Sequence, residues 1–372
     1  MNEQNDFALV RRPPSAVEKA EPGARRILSG MVADTLAVAR KEQIAPAVAK
    51  FRIGDYEWRE PDYRQILIWS NAVGLKPEEV VARLFNPESL KVDDDGKQTS
   101  LFPFFDEPLF ANSRLLKVSW DLRRLRCDSI EWVEGLEITH VRFIGAPDVR
   151  CLSDIGALPL QKLVWLSCCW QGLTAINLAS VPQLREFTCE CNQLENLVLD
   201  SVPELTHLNC DDNEIESLDF RSTPKLTGLS CEGNHLTTLD LSGLRQLEYG
   251  LCGGNELTEL SLRNLPTLDA LDCYANQIRT LDLSQVPELE QLDCHANEIW
   301  KLDLSHCPKL WSLDCADNQI AELNVSCCGN LRSLDCSKNR IATLDIRDLE
   351  HLETLIYDDK TTKLLKRSDQ EF

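Results

Sequence analysis

The sequence contains no run of 18 consecutive apolar residues, which is about the length that a helix needs to cross a bilayer. Residues 1–26 also lack an apolar core of the length found in signal peptides. These absences predict a cytoplasmic protein with no membrane partner. They leave open export as an effector by a route that uses no cleaved signal peptide.

Basic residues are scarce in the C-terminal part of the chain. Residues 1–150 contain 22 Lys and Arg against 24 Asp and Glu, whereas residues 151–372 contain 17 against 36, within a formal net charge of −21. An acidic surface repels nucleic acid and attracts basic partners. We therefore expect a protein partner of basic or mixed charge and no nucleic acid. The solubility of an extended surface explains the acidity equally well.

Recognisable metal and catalytic motifs are also missing. The 16 cysteines form no paired CxxC spacing, and no calcium loop of the DxDxDG type occurs. Residues 1–150 contain no phosphate loop, nucleophile elbow or grouped His, Cys and Asp residues. We expect no cofactor, no metal site and no enzymatic activity.

What the sequence does contain is a repeat of 21 residues. Asparagine recurs at this interval at Asn192, Asn213, Asn234, Asn255, Asn276, Asn297, Asn318 and Asn339. Cysteine keeps the same interval at Cys168, Cys189, Cys210, Cys231, Cys252, Cys273, Cys294, Cys315 and Cys336. A fixed period of this length predicts a stacked array of structural repeats.

Nine repeats occupy residues 163–351, and each begins at the first leucine of the pattern LxxLxCxxN, which we number position 1. Apolar residues recur at positions 1, 4, 6, 11, 14 and 16, so stacked repeats bury a continuous core. The segment around position 5 has the period of a strand, which directs positions 3, 5 and 7 outward. We expect the asparagine at position 9 to bond backbone groups of its own and the adjacent coil.

The cysteine column predicts reduced thiols. Neighbours in a stacked column lie about 4.8 Å apart with parallel side chains. A disulfide instead needs Cβ atoms at about 3.8 Å that face each other. We therefore expect these cysteines to act as small apolar core residues.

The pattern LxxLxCxxNxL resembles the leucine-rich repeat family in a short bacterial-type form, over residues 163–357. The resemblance implies an α/β-type solenoid with parallel strands on one face, which binds other macromolecules by that face. The second half of each repeat reads LxxLDLSxxP and alternates like a strand. It predicts short extended segments on the other side of the solenoid instead of helices.

The chain divides into five predicted segments. Residues 1–24 form a flexible tail, residues 25–113 a small, mainly helical N-terminal domain, and residues 114–162 a strand-containing collar of the array. The repeats of residues 163–351 follow, and residues 352–372 form a degenerate capping repeat and tail. Helices are predicted at residues 27–43, 61–73 and 77–85. An alternative function places an adaptor or effector activity in the N-terminal helical domain, with the repeats selecting the target.

Carboxylates stack at the outward position 5 of the C-terminal repeats, at Asp272, Asp293, Asp314 and Asp335. Like charges at strand spacing repel one another, and a cationic partner or a calcium ion would relieve that repulsion. Duplication of a solvated repeat explains the same pattern.

The fifth repeat departs from the pattern. Gly250 replaces an inward leucine, which predicts a bulge or the close approach of another backbone. Tyr249, Leu251 and Tyr274 then form an outward apolar patch, of the kind that anchors a partner, unless this repeat has merely drifted. His295 is outward and isolated. The predicted partner-binding residues are Tyr249, Leu251, Asp272, Tyr274, Asp293, His295, Asp314 and Asp335, and the oligomeric state is left open.

Overall fold

The computed structural model describes residues 50–53, 56–74, 76–85, 110–111, 114–115, 117–121, 136–144, 160–370 and 372. The predicted tail of residues 1–24 and the helix predicted at 27–43 lie outside this set. Within it, no helix is both long and apolar enough to cross a membrane.

The N-terminal part begins with two short antiparallel strands, β1 (Lys50–Ile53) and β2 (Tyr56–Arg59), which the sequence did not predict. Helix α1 (Glu60–Val73) follows, with proline in its first turn, and ends at Gly74, whose φ of 67° suits glycine. Helix α2 (Pro77–Phe85) comes next. Both predicted helices are confirmed, because proline starts each of them where its missing N–H costs nothing.

The collar extends the sheet of the repeats. After the short antiparallel pair β3 (Phe110–Ala111) and β4 (Arg114–Leu115), strands β5 (Lys117–Asp121) and β6 (His140–Ile144) lie parallel. Strand β6 then pairs with the first strand of the array, β7 (Trp165–Ser167). Strands β5 and β6 thus lie within residues 114–162, where a strand-containing collar is predicted, and the domain boundaries stay predictions.

Each repeat contributes one short strand to the main sheet. After β7, these strands are β8 (Glu186–Thr188), β9 (His207–Asn209), β10 (Gly228–Ser230), β12 (Tyr249–Leu251), β14 (Ala270–Asp272), β16 (Gln291–Asp293), β18 (Ser312–Asp314), β19 (Ser333–Asp335) and β21 (Thr354–Ile356). Within the described residues the main sheet has 12 strands, all parallel, from β5 to β21. Each strand residue of the repeats pairs with the one 21 positions later, as in Leu271 with Leu292. The sequence period is therefore one turn of a parallel solenoid.

The opposite side of the solenoid is built from short extended segments, as predicted, and residues 160–370 contain no helix. Three parallel pairs form there: β11 (Thr238–Asp240) with β13 (Glu259–Ser261), β15 (Thr280–Leu281) with β17 (Lys301–Leu302), and β20 (Thr343–Asp345) with β22 (Lys363–Leu365). Two tight turns then return the chain. In the sixth repeat, Val286 N–H donates to Leu283 O and Leu289 N–H to Val286 O. Pro287 lies between these donors, where no N–H is needed.

The core is a continuous stack of the apolar positions. The nine column cysteines are buried, and all of them are free thiols. Burial raises their pKa well above the usual range, as for Cys273 and Cys294, so these thiols stay protonated. The prediction that they act as reduced core residues is confirmed.

The asparagine column joins neighbouring coils, as predicted. Asn276 Nδ2 donates to Cys252 O of the preceding coil and to Cys273 O of its own coil, both at 3.0 Å. Its Oδ1 accepts the backbone N–H of Leu257, at 2.9 Å. The same arrangement recurs from Asn192 to Asn339. Each asparagine thus satisfies buried backbone groups on two coils.

Position 8 of every repeat has a left-handed backbone, which the sequence analysis did not predict. The residues are Trp170, Cys191, Asp212, Gly233, Gly254, Ala275, Ala296, Asp317 and Lys338, with φ between 47° and 63°. Only two of them are glycine, although this region is unfavourable for other residues by roughly 1–2 kcal/mol. Gly254 therefore follows the common geometry of the repeat.

The bulge predicted at Gly250 is wrong. The strand pairing runs without interruption from Leu229 through Gly250 to Leu271. The three atoms nearest to a Cβ atom added at Gly250 belong to the side chains of Leu247, Leu241 and Leu271, at 3.7–3.9 Å. These leucines line the space that the missing side chain leaves, and none of the three nearest atoms belongs to a backbone.

Candidate functional site

The candidate site is the outer surface of the main sheet, formed by positions 3, 5 and 7 of the repeats and called here the strand face. The strand pairing places Asp272 beside Asp293, Asp293 beside Asp314, and Asp314 beside Asp335. The four predicted carboxylates therefore form one unbroken column. Each of these side chains is partly exposed.

The aspartates also have a local structural role that the sequence analysis missed. Asp293 accepts the backbone N–H of His295, and Asp314 accepts that of Ala316, each at 3.0 Å. Asn209 makes the same bond to Asp211 N–H, also at 3.0 Å. A side-chain acceptor at position 5 therefore serves the turn at the end of the strand, and this acceptor does not need a charge.

A second row of carboxylates lies at position 7 of earlier repeats, outside the predicted set of binding residues. Asp211 accepts bonds from Ser230 Oγ at 2.7 Å and from Glu232 N–H at 2.7 Å. Burial, followed by the charges of Asp211 and Asp272, raises the pKa of Glu232 to about 7. Acidic residues at position 7 of three consecutive repeats, from Glu190 to Glu232, were the signal in the sequence.

The carboxylates of the two rows interact electrostatically, because the charge of Asp272 raises the pKa of Glu232. Burial raises the pKa of Asp272 to about 6, and the charges of Asp293 and Asp314 also favour its protonated form. Burial likewise raises the pKa of Asp211 and of Asp314. The strand face thus concentrates negative charge in a partly desolvated position, where a bound cation interacts more strongly than in bulk water.

The prediction that His295 is isolated is wrong. Its Nδ1 lies 2.7 Å from Asp293 Oδ1, and its ring stacks on that of Tyr274 at 5.1 Å between centroids. Burial disfavours the imidazolium, but the hydrogen bond to Asp293 and the neighbouring carboxylates outweigh burial and raise the pKa of His295. His295 is therefore hydrogen-bonded to the aspartate column, whose carboxylates favour its charged form.

Asp293, His295 and Asp314 could together contact a cation, since one ligand atom from each lies within 4.8 Å of the others. Two carboxylates and an imidazole are donors that suit zinc and similar divalent metals. All three side chains are partly exposed, and both carboxylates already accept backbone hydrogen bonds. We therefore assign no metal to this group.

Tyr249, Leu251 and Tyr274 lie together at the middle of the strand face. Leu251 pairs with Ser230 on one side and with Asp272 on the other. Tyr249 precedes it by two residues at position 3, and Tyr274 lies at position 7 of the next repeat. All three side chains are partly exposed. The predicted apolar patch is thus continuous with the aspartate column.

Comparison with known proteins identifies similar solved structures. The functional domain of InlJ from Listeria monocytogenes, which includes a cysteine ladder, is 32% identical over 59% of this chain, with a TM-score of 0.53. The aligned region covers 52% of that domain, so the chain spans about half of its length. A leucine-rich repeat protein of Leptospira interrogans is 20% identical over 67% of this chain and 73% of its own, with a TM-score of 0.52, and shows the same fold. No protein-family model and no curated protein matches the sequence.

Proposed function

Because the chain is a leucine-rich repeat protein, we propose that it is a protein-interaction module whose strand face binds a partner with a basic or mixed-charge surface. The proposal assigns the contact to the aspartate column and to the apolar patch beside it. The residues are Tyr249, Leu251, Asp272, Tyr274, Asp293, His295, Asp314 and Asp335.

The observation that carries the proposal is the charge on this face. None of the residues at positions 3, 5 and 7 of the nine repeats is lysine or arginine. Within the described residues, no lysine or arginine forms an ion pair with Asp272, Asp293, Asp314 or Asp335. Carboxylates elsewhere on the solenoid have such partners, as in Asp219 with Arg221 and Glu298 with Arg279. A basic partner would supply the missing counter-charges.

The local turn does not explain the charge. Asn209 forms the same turn with a neutral side chain, so an asparagine at Asp293 or Asp314 would serve the backbone equally well. The aspartates instead repel one another across neighbouring strands, and burial adds to the cost of ionising Asp272 and Asp314. This excess charge supports a role in recognition.

The test compares two matched double variants. Asp293→Lys with Asp314→Lys reverses charge on the strand face, whereas Asp282→Lys with Asp303→Lys reverses it on the opposite side. Asp282 and Asp303 accept the backbone N–H groups of Ser284 and Ser305 at 3.0 Å, so both double variants lose equivalent turn bonds. We expect the first variant alone to lose a basic partner in a pull-down, with equal melting curves for the two.

A further double variant, Tyr249→Ala with Leu251→Ala, tests the apolar patch without changing charge. Loss of partner binding at an unchanged melting temperature would support the assigned face. Full binding by this variant and by Asp293→Lys with Asp314→Lys would exclude that face. The cytoplasmic location, the absence of catalysis and the absence of nucleic-acid binding stay predictions alongside this proposal.

A further inference from the structure

Two glycines on the strand face make room for the two tyrosines of the apolar patch. A Cβ atom added to Gly228 would overlap the ring of Tyr249, which lies one repeat later at the same position. A Cβ atom added to Gly253 would overlap the ring of Tyr274 in the same way. Each tyrosine therefore lies back over the preceding coil, across a residue without a side chain.

Neighbouring groups hold both rings in place. Tyr274 stacks on His295 at an interplanar angle of 4°, and its hydroxyl group interacts with the Glu232 carboxyl, which offsets part of the rise that burial causes in the pKa of Glu232. Tyr249 approaches His207, with 6.4 Å between the ring centroids. Rings that are fixed before binding lose little conformational entropy when a ligand arrives.

The surface around the two tyrosines combines an apolar side chain with carboxylates. Leu251 lies at position 5 between the rows that carry Tyr249 and Tyr274, at positions 3 and 7. Asp272 is its strand neighbour, and Glu232 lies beside the hydroxyl end of Tyr274. A lysine or arginine side chain has the matching parts, because its aliphatic stem packs on apolar and aromatic groups while its charged end remains near carboxylates.

We propose that Tyr249, Leu251 and Tyr274 form a seat for one lysine or arginine side chain of an extended basic segment, whose cationic end contacts Glu232 and Asp272. This inference rests on the proposed function, since it names the part of the basic partner that the strand face selects. It also gives a purpose to Gly228 and Gly253, which occupy outward positions 3 and 7 of the strand face, where glycine has no side chain to pack.

The test uses glycine variants that move a ring without changing any charge. Gly253→Ala displaces Tyr274 and Gly228→Ala displaces Tyr249, whereas Gly243→Ala is the control, since an added Cβ there meets nothing within 4 Å. The probe is a short fluorescent peptide in which lysine alternates with serine, and fluorescence anisotropy measures its affinity. A second peptide with arginine in place of lysine distinguishes the two side chains, and a third with glutamate is the negative control.

We expect Gly253→Ala and Gly228→Ala each to weaken binding of the lysine or arginine peptide about fivefold, which is the size of a cation–π contact at a partly exposed site. Gly243→Ala should bind as the unaltered protein does. Tyr274→Leu keeps an apolar side chain of lower volume and should weaken binding to a similar extent. It replaces Gly253→Ala as the test variant if Gly253→Ala does not fold.

The outcomes separate the seat from the proposed function. In one outcome, the basic peptides bind, the double variant Asp293→Lys with Asp314→Lys does not bind them, and the glycine and tyrosine variants bind normally. That outcome would refute the seat but support a basic partner. If the unaltered protein binds neither basic peptide, or binds the glutamate peptide equally well, then both proposals fail.

Discussion

Replacing Asn276 with alanine tests how the asparagine column stabilises the solenoid. The side chain takes part in four hydrogen bonds, but most of its backbone partners have a second one. Cys252 O also accepts from Asn255 Nδ2, and Cys273 O from Asn297 Nδ2. Tyr274 O also accepts the N–H of Gly254, at 2.9 Å. Leu257 N–H has no other acceptor among the described residues, so the substitution leaves this one buried donor unpaired.

An unpaired buried donor costs about 1–3 kcal/mol, and the lost side-chain volume adds to this cost. We therefore expect Asn276→Ala to lower the free energy of unfolding by about 2 kcal/mol, far less than four independent bonds would suggest. Urea unfolding measures the loss of stability, and faster hydrogen exchange of the Leu257 amide would show that this N–H has lost its hydrogen bond. Asn339→Ala is the comparison, because Asn339 is only partly buried in the last full repeat and water can replace it.

Asn276→Asp separates the acceptor from the donors of the side chain. The aspartate keeps an acceptor for Leu257 N–H but turns its other oxygen towards the carbonyl groups, so we expect a larger loss at neutral pH than alanine causes. An Asn276→Ala variant with an unchanged free energy of unfolding would refute this account of the column. Unchanged, slow hydrogen exchange of the Leu257 amide in that variant would also refute it.

Three further predictions concern the thiols, the left-handed position and the strand face. Because burial raises the pKa of the column cysteines, the folded state holds more protons than the unfolded state above the ordinary thiol pKa of about 8.5. The free energy of unfolding therefore falls by about 1.4 kcal/mol per pH unit for each such thiol. Circular dichroism during an alkaline titration should show a steep unfolding transition, which the double variant Cys273→Ala with Cys294→Ala makes shallower. Ala296→Gly, at a φ of 54°, should stabilise the fold by up to about 1 kcal/mol in urea unfolding, whereas Ala316→Gly, outside the left-handed position, should destabilise it. Glu232 and Asp272 have pKa values of about 7 and about 6, so both carboxyls become negatively charged as the pH rises. The affinity for the lysine peptide should therefore increase over this pH range, and Glu232→Gln should remove the increase near the pKa of Glu232.

The sequence was sufficient to predict the solenoid because its period is strict. With nine repeats of 21 residues, the position of Asp272 in its repeat fixes its neighbours as Asp293 and, in the preceding coil, Leu251. The bonding of the asparagines followed from the need to satisfy buried backbone groups. The inward direction of the cysteines followed from strand alternation.

Features that depend on side-chain direction could not be predicted in this way. The stacking of Tyr274 on His295 depends on where the tyrosine ring points along the stack, and that direction depends on Gly253 in the preceding coil. The left-handed position was hidden because Ala296 and Lys338 are not residues that signal it. The error at Gly250 has the opposite cause. The glycine suggested an irregular backbone, but the strand there is regular and neighbouring leucines line the space left by the missing side chain.

Site-specific photocrosslinking tests most directly whether the strand face is the binding surface. A photoreactive amino acid is placed at Gln291, which is exposed at position 3 of the strand face, or at Glu259, which is exposed on the opposite side. The lysine peptide is added, and mass spectrometry identifies the adducts after irradiation. We predict adducts from Gln291 and none above background from Glu259. Equal yields from the two sites, or a higher yield from Glu259, would contradict binding by the strand face.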